Sequence, residues 1–181
     1  MHMEQLIWLA GLIDGEGSIG APLCKRRNRY KPRPMFQMCM TSKETLEVAR
    51  EIMIQNEVAA QNLHPSFRTG RQQSAWYLAV SQLKSLNQLA LLMLPYSITK
   101  KSHWRCLLNI LEVRNPQQRN AMGQVLPRFV SDEELFHVAH LAFLNHPLNY
   151  ATHEDALMHF KQKVRGEELN ERPPRQQPVS D

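Results

Sequence analysis

The nine residues LAGLIDGEG, Leu9–Gly17, are the most specific signal in the sequence. Their first six residues are the end of a segment, residues 4–14, that contains good helix formers, apolar residues on all sides and no proline. This pattern predicts a helix that is buried on more than one side. Gly11 and Gly15 are four residues apart and Ala10 adjoins them, so one side of the helix has almost no side-chain volume. A second backbone could therefore approach this side closely.

The residues after this helix predict one antiparallel sheet backed by helices. Apolar and polar residues alternate in two pairs of segments, which is typical of hairpin strands. The first pair flanks a basic loop, KRRNRYKPRP, whose prolines Pro32 and Pro34 break regular structure. Thr41 or Ser42 is predicted to cap the helix between the two hairpins, and Ser131 another one later. The predicted strands are 18–24, 35–41, 62–67 and 75–80, and the predicted later helices are 42–55, 82–94, 100–114 and 131–146.

The composition excludes several classes of protein. The chain has 181 residues, 43% of them hydrophobic, without the run of roughly 18 apolar residues that a membrane-spanning helix needs. Acidic residues interrupt the start, so it lacks the pattern of a secretory signal. Three cysteines without metal-ligand spacing indicate reduced thiols. We therefore expect an intracellular protein of the cytoplasm or an organelle matrix.

Basic residues are concentrated in two stretches that hold no Asp or Glu, residues 17–43 and 58–111. Residues 1–130 alone carry a formal charge of +9, because the last part of the chain is acidic. A protein with such a charge is suited to bind a polyanion, and nucleic acid is the polyanion that we expect. The alternative is an ordinary solvated basic surface. The thirteen basic residues of the two stretches are Lys25, Arg26, Arg27, Arg29, Lys31, Arg33, Lys43, Arg68, Arg71, Lys84, Lys100, Lys101 and Arg105.

The motif LAGLIDGEG resembles the signature of the LAGLIDADG homing endonucleases, and the order of elements is similar to that of the family's single-motif members. The resemblance covers residues 4–115 well and extends loosely to 146, so 1–146 would be the endonuclease domain. Residues 147–181 would be a C-terminal extension, partly helical and then disordered. The implied fold is an α+β domain of αββαββα order with a four-stranded DNA-binding sheet. The implied function is that of a site-specific double-stranded DNA endonuclease of the intron- or intein-associated type used in intron homing.

The sequence contains one copy of the motif, so a partner helix would come from a second chain. This predicts a symmetric homodimer that reads a long, roughly palindromic site. Ala10, Gly11 and Asp14 would lie at its interface. The alternative is that the glycines only accommodate a neighbour within the same chain.

The resemblance also implies the catalytic residues. Glu16 matches the metal-binding acid, where the family more often has Asp, and Gly15 matches a residue whose carbonyl oxygen contacts the metal. Such oxygen ligands suit Mg²⁺, for which Mn²⁺ could substitute. Lys100 matches the active-site lysine, with Lys101 as the alternative register, and Ser42 matches a position that orders water.

The resemblance leaves Asp14 a structural role at the helix end. For the catalytic candidates, the alternative interpretation is ordinary surface polarity.

DNA contacts are predicted from strand alternation. Positions on the polar face carry side chains that suit hydrogen bonds to bases and phosphates. These candidates are Arg26, Arg29, Arg33, Gln37, Asn62, Ser66, Arg68, Arg71, Gln73 and Tyr77.

Other functions remain open at the level of the sequence. A non-catalytic nucleic-acid binder on the same scaffold, such as an RNA splicing maturase or a transcription regulator, is the main alternative. A monomer with unrelated chemistry is a third hypothesis. His137 and His140 lie three residues apart on a predicted helix, but no cysteine or acid pattern completes a zinc site, so ordinary histidines are favoured.

Overall fold

The structure is a computed structural model that describes residues 3–26, 29–66, 75–114 and 130–165; at residues 26, 29 and 66 it describes the backbone alone. The described residues form two compact units, one from Met1–Gly20 and Pro34–Leu108 and the other from Ala21–Arg33 and Asn109–Asp181. The elements, in chain order, are α1 Met3–Glu16, β1 Gly17–Gly20, β2 Leu23–Arg26, β3 Arg29–Pro32, β4 Met35–Met40, α2 Lys43–Gln55, β5 His64–Ser66, β6 Ala75–Val80, α3 Leu83–Met93, α4 Lys101–Val113, α5 Asp132–Asn145, a 3₁₀ turn Pro147–Asn149 and α6 His153–Arg165.

A four-stranded antiparallel sheet forms the centre of the first unit, with the strand order β1-β4-β6-β5. Side chains alternate between its two faces, as the sequence predicts. Ile19, Phe36 and Leu78 are fully buried on one face, whereas Ser18 on the other is exposed. The predicted α+β fold with one antiparallel sheet and helices is confirmed.

Helix α1 leads directly into β1 at Gly17. A Cβ atom there would lie 2.7 Å from the Ile13 carbonyl oxygen and 3.0 Å from the Phe36 ring. Only glycine therefore fits where the motif helix turns into the sheet. The Phe36 ring in turn contacts Trp104 of α4, with 5.8 Å between ring centroids.

The predicted helix caps are confirmed. The Ser42 side chain accepts a hydrogen bond from the Thr45 backbone N–H at the start of α2. The Ser131 side chain accepts one from the Glu134 N–H at the start of α5. Both satisfy a donor that the helix itself leaves without a partner.

The prediction of a loop over residues 25–34 is wrong in part. These residues contribute to a two-stranded hairpin, in which Leu23 pairs with Pro32 and Lys25 with Tyr30. Pro32 is compatible with the strand because it is the last residue of β3. The strand that was predicted to run from residue 18 to 24 is correspondingly divided after Gly20.

Helix α6 packs on α5 in the second unit and buries Ala156 and Phe160. It includes residues 161–165, so the disorder predicted for residues 161–181 from their low apolar content is wrong for these five residues. Residues 166–181 lie outside the described residues, so the disorder expected there remains a prediction. No helix in the described part of the chain is both long enough and apolar enough to cross a membrane.

Candidate functional site

The end of the motif helix is joined to residues 97–100 through the Asp14 carboxylate. This carboxylate accepts hydrogen bonds from the Ser97 hydroxyl, from the Ile98 N–H at 2.6 Å and from the Thr99 N–H at 3.0 Å. The Lys100 N–H donates a fourth at 3.3 Å. Asp14 thus fixes the segment that precedes α4 against the end of α1, in the structural position that the resemblance implies.

The electrostatics of Asp14 follow from these contacts. Partial burial raises the pKa of Asp14, but the hydrogen bonds from Ser97, Ile98, Thr99 and Lys100 outweigh it. The pKa therefore lies below its ordinary value of 3.8, and the carboxylate is charged near neutral pH.

Lys100 contacts the last turn of the motif helix. Its ammonium group donates a hydrogen bond of 2.6 Å to the Asp14 carbonyl oxygen, and the Thr99 hydroxyl donates to the same oxygen at 3.3 Å. Asp14 is two residues before Glu16. Lys101 instead begins α4 and is exposed. The fold therefore brings Lys100 to the last turn of α1, across more than eighty residues of chain.

Glu16 is the last residue of α1, and both Glu16 and Gly15 are exposed. An exposed carboxylate and a backbone carbonyl at a helix end are oxygen donors of the kind that Mg²⁺ prefers. No group of three or more His, Cys, Asp or Glu side chains that could hold a metal occurs among the described residues. The donor set of one chain therefore fits part of a magnesium site, which a second chain and phosphate oxygens would have to complete.

The small-residue side of α1 is open at its glycines. A Cβ atom on Gly11 or Gly15 would meet no atom of the described residues within 4 Å. The Ala10 side chain, in contrast, is 1% exposed and already lies in the core of the first unit. Of the three small residues, only the two glycines leave a free surface in the single chain.

Ser42 lies at the start of α2, and its hydroxyl is occupied by the helix cap. It contacts the Thr45 hydroxyl at 2.8 Å and donates to Glu44 at 3.3 Å, besides accepting from the Thr45 N–H. These hydrogen bonds are local to α2. They confirm Ser42 as the cap of α2, and the role of Ser42 in ordering water stays a prediction.

The polar face of the sheet carries two of the predicted DNA contacts. Gln37 of β4 and Tyr77 of β6 are partly buried, and the Tyr77 hydroxyl donates a hydrogen bond to the side-chain Oε1 of Gln37. This hydrogen bond fixes the orientation of the Gln37 side-chain amide, whose NH₂ group is a hydrogen-bond donor. The pair therefore presents a defined hydrogen-bonding pattern on the sheet.

Two more of the predicted DNA contacts, Asn62 and Arg33, lie on the surface. Asn62 is exposed and its side-chain oxygen accepts from Arg50 at 2.9 Å, while Arg33 is exposed beyond β3. The side chains of Arg26, Arg29 and Ser66 are not described, and Arg68, Arg71 and Gln73 lie outside the described residues.

Sequence reasoning missed Ser97 and Thr99, which join Lys100 to the motif. The sequence marks them only as polar residues on either side of Ile98, directly before Lys100.

The histidines of α5 and α6 form an aromatic group, in which the rings of His140 and His153 have centroids 5.2 Å apart. Burial lowers the pKa of His140, and the nearby His153 and His137 lower it further.

No protein-family model matches the chain, and no curated protein sequence matches it. Solved structures do resemble it. The archaeal intron-encoded homing endonuclease I-Vdi141I complexed with DNA has a TM-score of 0.60 and 16% identity, and the likeness covers 91% of this chain and 96% of that one.

The homing endonuclease I-CvuI, in complex with its target in the presence of 2 mM Ca, has a TM-score of 0.58 and 16% identity, over 91% of this chain and 94% of that one. The LAGLIDADG homing endonuclease I-GzeII in complex with its DNA target has a TM-score of 0.54 and 15% identity, over 95% of this chain and 53% of that one. With its motif at the end of α1, the chain has the fold of the LAGLIDADG homing endonucleases.

Proposed function

We propose that this protein is a site-specific endonuclease of double-stranded DNA that acts as a homodimer and hydrolyses phosphodiester bonds with a divalent metal. The observation that carries the proposal is the contact between Lys100 and the last turn of the motif helix, which ends at Glu16. The Lys100 ammonium group is held 2.6 Å from the carbonyl oxygen two residues before Glu16. The likeness to DNA complexes of homing endonucleases supports this choice of substrate.

Lys100 would contribute a positive charge that needs no rearrangement during the reaction. Its nitrogen is fixed by Asp14, and Asp14 is fixed by Ser97, Ile98 and Thr99. A charge held in this way stabilises the negative charge that builds on the phosphate oxygens in the transition state. Asp14, Ser97 and Thr99 are thus positioning residues for Lys100.

Glu16 and the Gly15 carbonyl would hold the divalent metal. When bound, Mg²⁺ would activate water and stabilise the leaving oxygen. Two of the similar I-CvuI complexes were crystallised with 2 mM Ca and 2 mM Mg, which supports the use of a divalent cation. Glu16 is exposed at a helix end, so its carboxylate is accessible to a metal ion that would also contact a phosphate.

The open face of α1 supports the homodimer. None of the described residues lies against Gly11 or Gly15, although glycine weakens a helix interior. The same helix exposes 53% of Ile7 and 41% of Trp8. A second α1 packed on these residues would bury the apolar side chains and bring two copies of Glu16 together. This arrangement supplies the ligands that one chain lacks.

The polar face of the sheet, with Gln37 and Tyr77, would contact base edges in the major groove. A dimer would present two such sheets, so the target would be long and roughly palindromic. The net charge of +9 over residues 1–130 would add affinity for the phosphate backbone.

The experiment is a selection from a randomised duplex DNA library, incubated with the protein and Mg²⁺, with EDTA as the control. The proposal predicts a discrete, near-palindromic site that is cut on both strands only when the metal is present. A site that is enriched by binding but never cut, with Mg²⁺ or with Mn²⁺, would contradict cleavage and favour a non-catalytic binder such as a maturase or a transcription regulator.

A further inference from the structure

The basic hairpin β2–β3 and the end of helix α6 meet at the ring of Tyr30. Lys25 and Tyr30 are directly opposite each other in the hairpin, so their side chains share one face. The Lys25 ammonium group lies 5.9 Å from the centroid of the Tyr30 ring. The Lys163 ammonium group of α6 lies 5.3 Å from the same centroid. We call these three residues the tyrosine cluster.

The position of Lys163 follows from how α6 is held. The other two basic residues of α6 form ion pairs with the Asp132 carboxylate of α5, Lys161 at a nitrogen–oxygen distance of 3.2 Å and Arg165 at 3.0 Å. Helix α6 also contacts β3. Asp132 therefore fixes the rotation of the helix and leaves Lys163 on the side of Tyr30.

Within the described part of the chain, no acidic side chain forms an ion pair with Lys25 or Lys163. The hairpin segment itself holds no Asp or Glu anywhere between residues 17 and 43. His159, one turn before Lys163, adds little charge, because burial and the Lys163 charge both lower its pKa. Two ammonium groups thus lie beside one ring, and no anion among residues 3–26, 29–66, 75–114 and 130–165 balances them.

We infer that the tyrosine cluster is a binding site for a backbone phosphate of duplex DNA. Each lysine attracts the phosphate as a point charge, and the ring holds both ammonium groups in place through cation–π contacts. The contact is independent of base sequence and positions the hairpin on the DNA. The inference rests on the proposed function, because it assumes that the protein binds DNA, and it gives the C-terminal extension a part in that binding.

The test is the affinity of the full chain for a short duplex of arbitrary sequence, measured at several salt concentrations. For Lys163→Gln we expect an affinity roughly 3- to 10-fold lower and a plot of log K against log salt that is shallower by roughly 1. Lys161→Gln is the matched control, since it removes the same charge from the same helix and leaves the Arg165–Asp132 ion pair to hold that helix. It should change the slope less than Lys163→Gln does.

Two variants of Tyr30 separate the role of the ring from that of its hydroxyl. Tyr30→Phe keeps the ring and should bind as the wild type does, whereas Tyr30→Leu should lose affinity as Lys163→Gln does. Circular dichroism of each variant verifies that the hairpin and α6 are folded.

The outcomes distinguish this inference from the proposed function. A wild type that binds duplex DNA, with Lys163→Gln no weaker than Lys161→Gln, overturns the tyrosine cluster alone. A wild type that binds no duplex DNA overturns both. A loss of affinity for single-stranded RNA or for anionic lipid vesicles, with duplex binding unchanged, also overturns the assignment to DNA.

Discussion

At the scale of single residues, Asp14 connects the motif to the rest of the site. Its carboxylate and carbonyl oxygens together accept hydrogen bonds from Ser97, Ile98, Thr99 and Lys100. The two acids of the motif therefore differ in their surroundings. Asp14 holds the lysine in position, whereas Glu16 is exposed and is the acid that we propose to bind the metal.

Replacing Asp14 should destabilise the first unit. Asp14→Asn removes the charge that these donors face, and hydrogen bonds to charged groups contribute about 1.5–3 kcal/mol each. We expect the free energy of unfolding at neutral pH to fall by about 2 kcal/mol. Urea denaturation measures this, with Glu51→Gln on the exposed side of α2 as the control.

The same variant predicts a pH dependence. The folded-state pKa of Asp14 lies below 3.8, so folding favours the charged form. Its stabilisation is complete above about pH 5 and is lost as the pH falls through the lower, folded-state value. The difference in unfolding free energy between wild type and Asp14→Asn should therefore shrink in acid. A difference that stays constant down to about pH 2 would contradict this.

At the scale of elements, the sequence predicts what depends on local chemistry. The caps Ser42 and Ser131, the end of α3 before Pro95 and the alternation of the four sheet strands are all found. The hairpin β2–β3 was missed because prolines and charges are also typical of loops. Thr152 and Asp155 form reciprocal hydrogen bonds that mark the start of α6, a signal that is present in the sequence.

Contacts between distant segments could not be predicted in this way. The hydrogen bonds between Asp14 and residues 97–100 depend on how α1 and α4 are arranged, which no local pattern encodes. Likewise, nothing near Tyr30 in the sequence indicates Lys163. The resemblance supplied Glu16 and Lys100 as candidates, and the fold brings Lys100 to the last turn of the helix that ends at Glu16.

Ser42 gives a prediction at this scale. Ser42→Ala should lower the free energy of unfolding by about 1 kcal/mol through loss of the cap, whereas Ser42→Asp should retain it. If the cap is the main function of Ser42, Ser42→Asp should also cleave DNA at the wild-type rate. A variant that is stable and binds DNA but does not cleave would instead assign Ser42 to the reaction.

At the scale of the whole molecule, the open face of α1 indicates assembly. Gly11→Ala has space for its added methyl group and improves a helix interior. In a solution dilute enough to hold single chains, it should raise the free energy of unfolding by about 1 kcal/mol. Thermal unfolding at low concentration measures this effect separately from dimer formation.

A larger side chain at the same position should prevent assembly. Gly11→Leu is expected to sediment as a monomer at concentrations where the wild type is a dimer, because the two helix backbones could no longer approach closely. Gln88→Leu, which adds bulk at an exposed position of α3, is the control. If Gly11→Leu remains a dimer, the proposed interface is wrong.

The most direct test of the central claim, hydrolysis at the end of the motif helix, is the Glu16→Gln variant on the selected DNA site with Mg²⁺. Cleavage and binding are measured on the same samples. We predict wild-type binding but a cleavage rate lower by roughly 10³-fold, since the metal contributes several kcal/mol to stabilising the transition state. If Glu16→Gln cleaves at the wild-type rate, the proposed mechanism is wrong, because the reaction then does not need the Glu16 carboxylate to hold the metal.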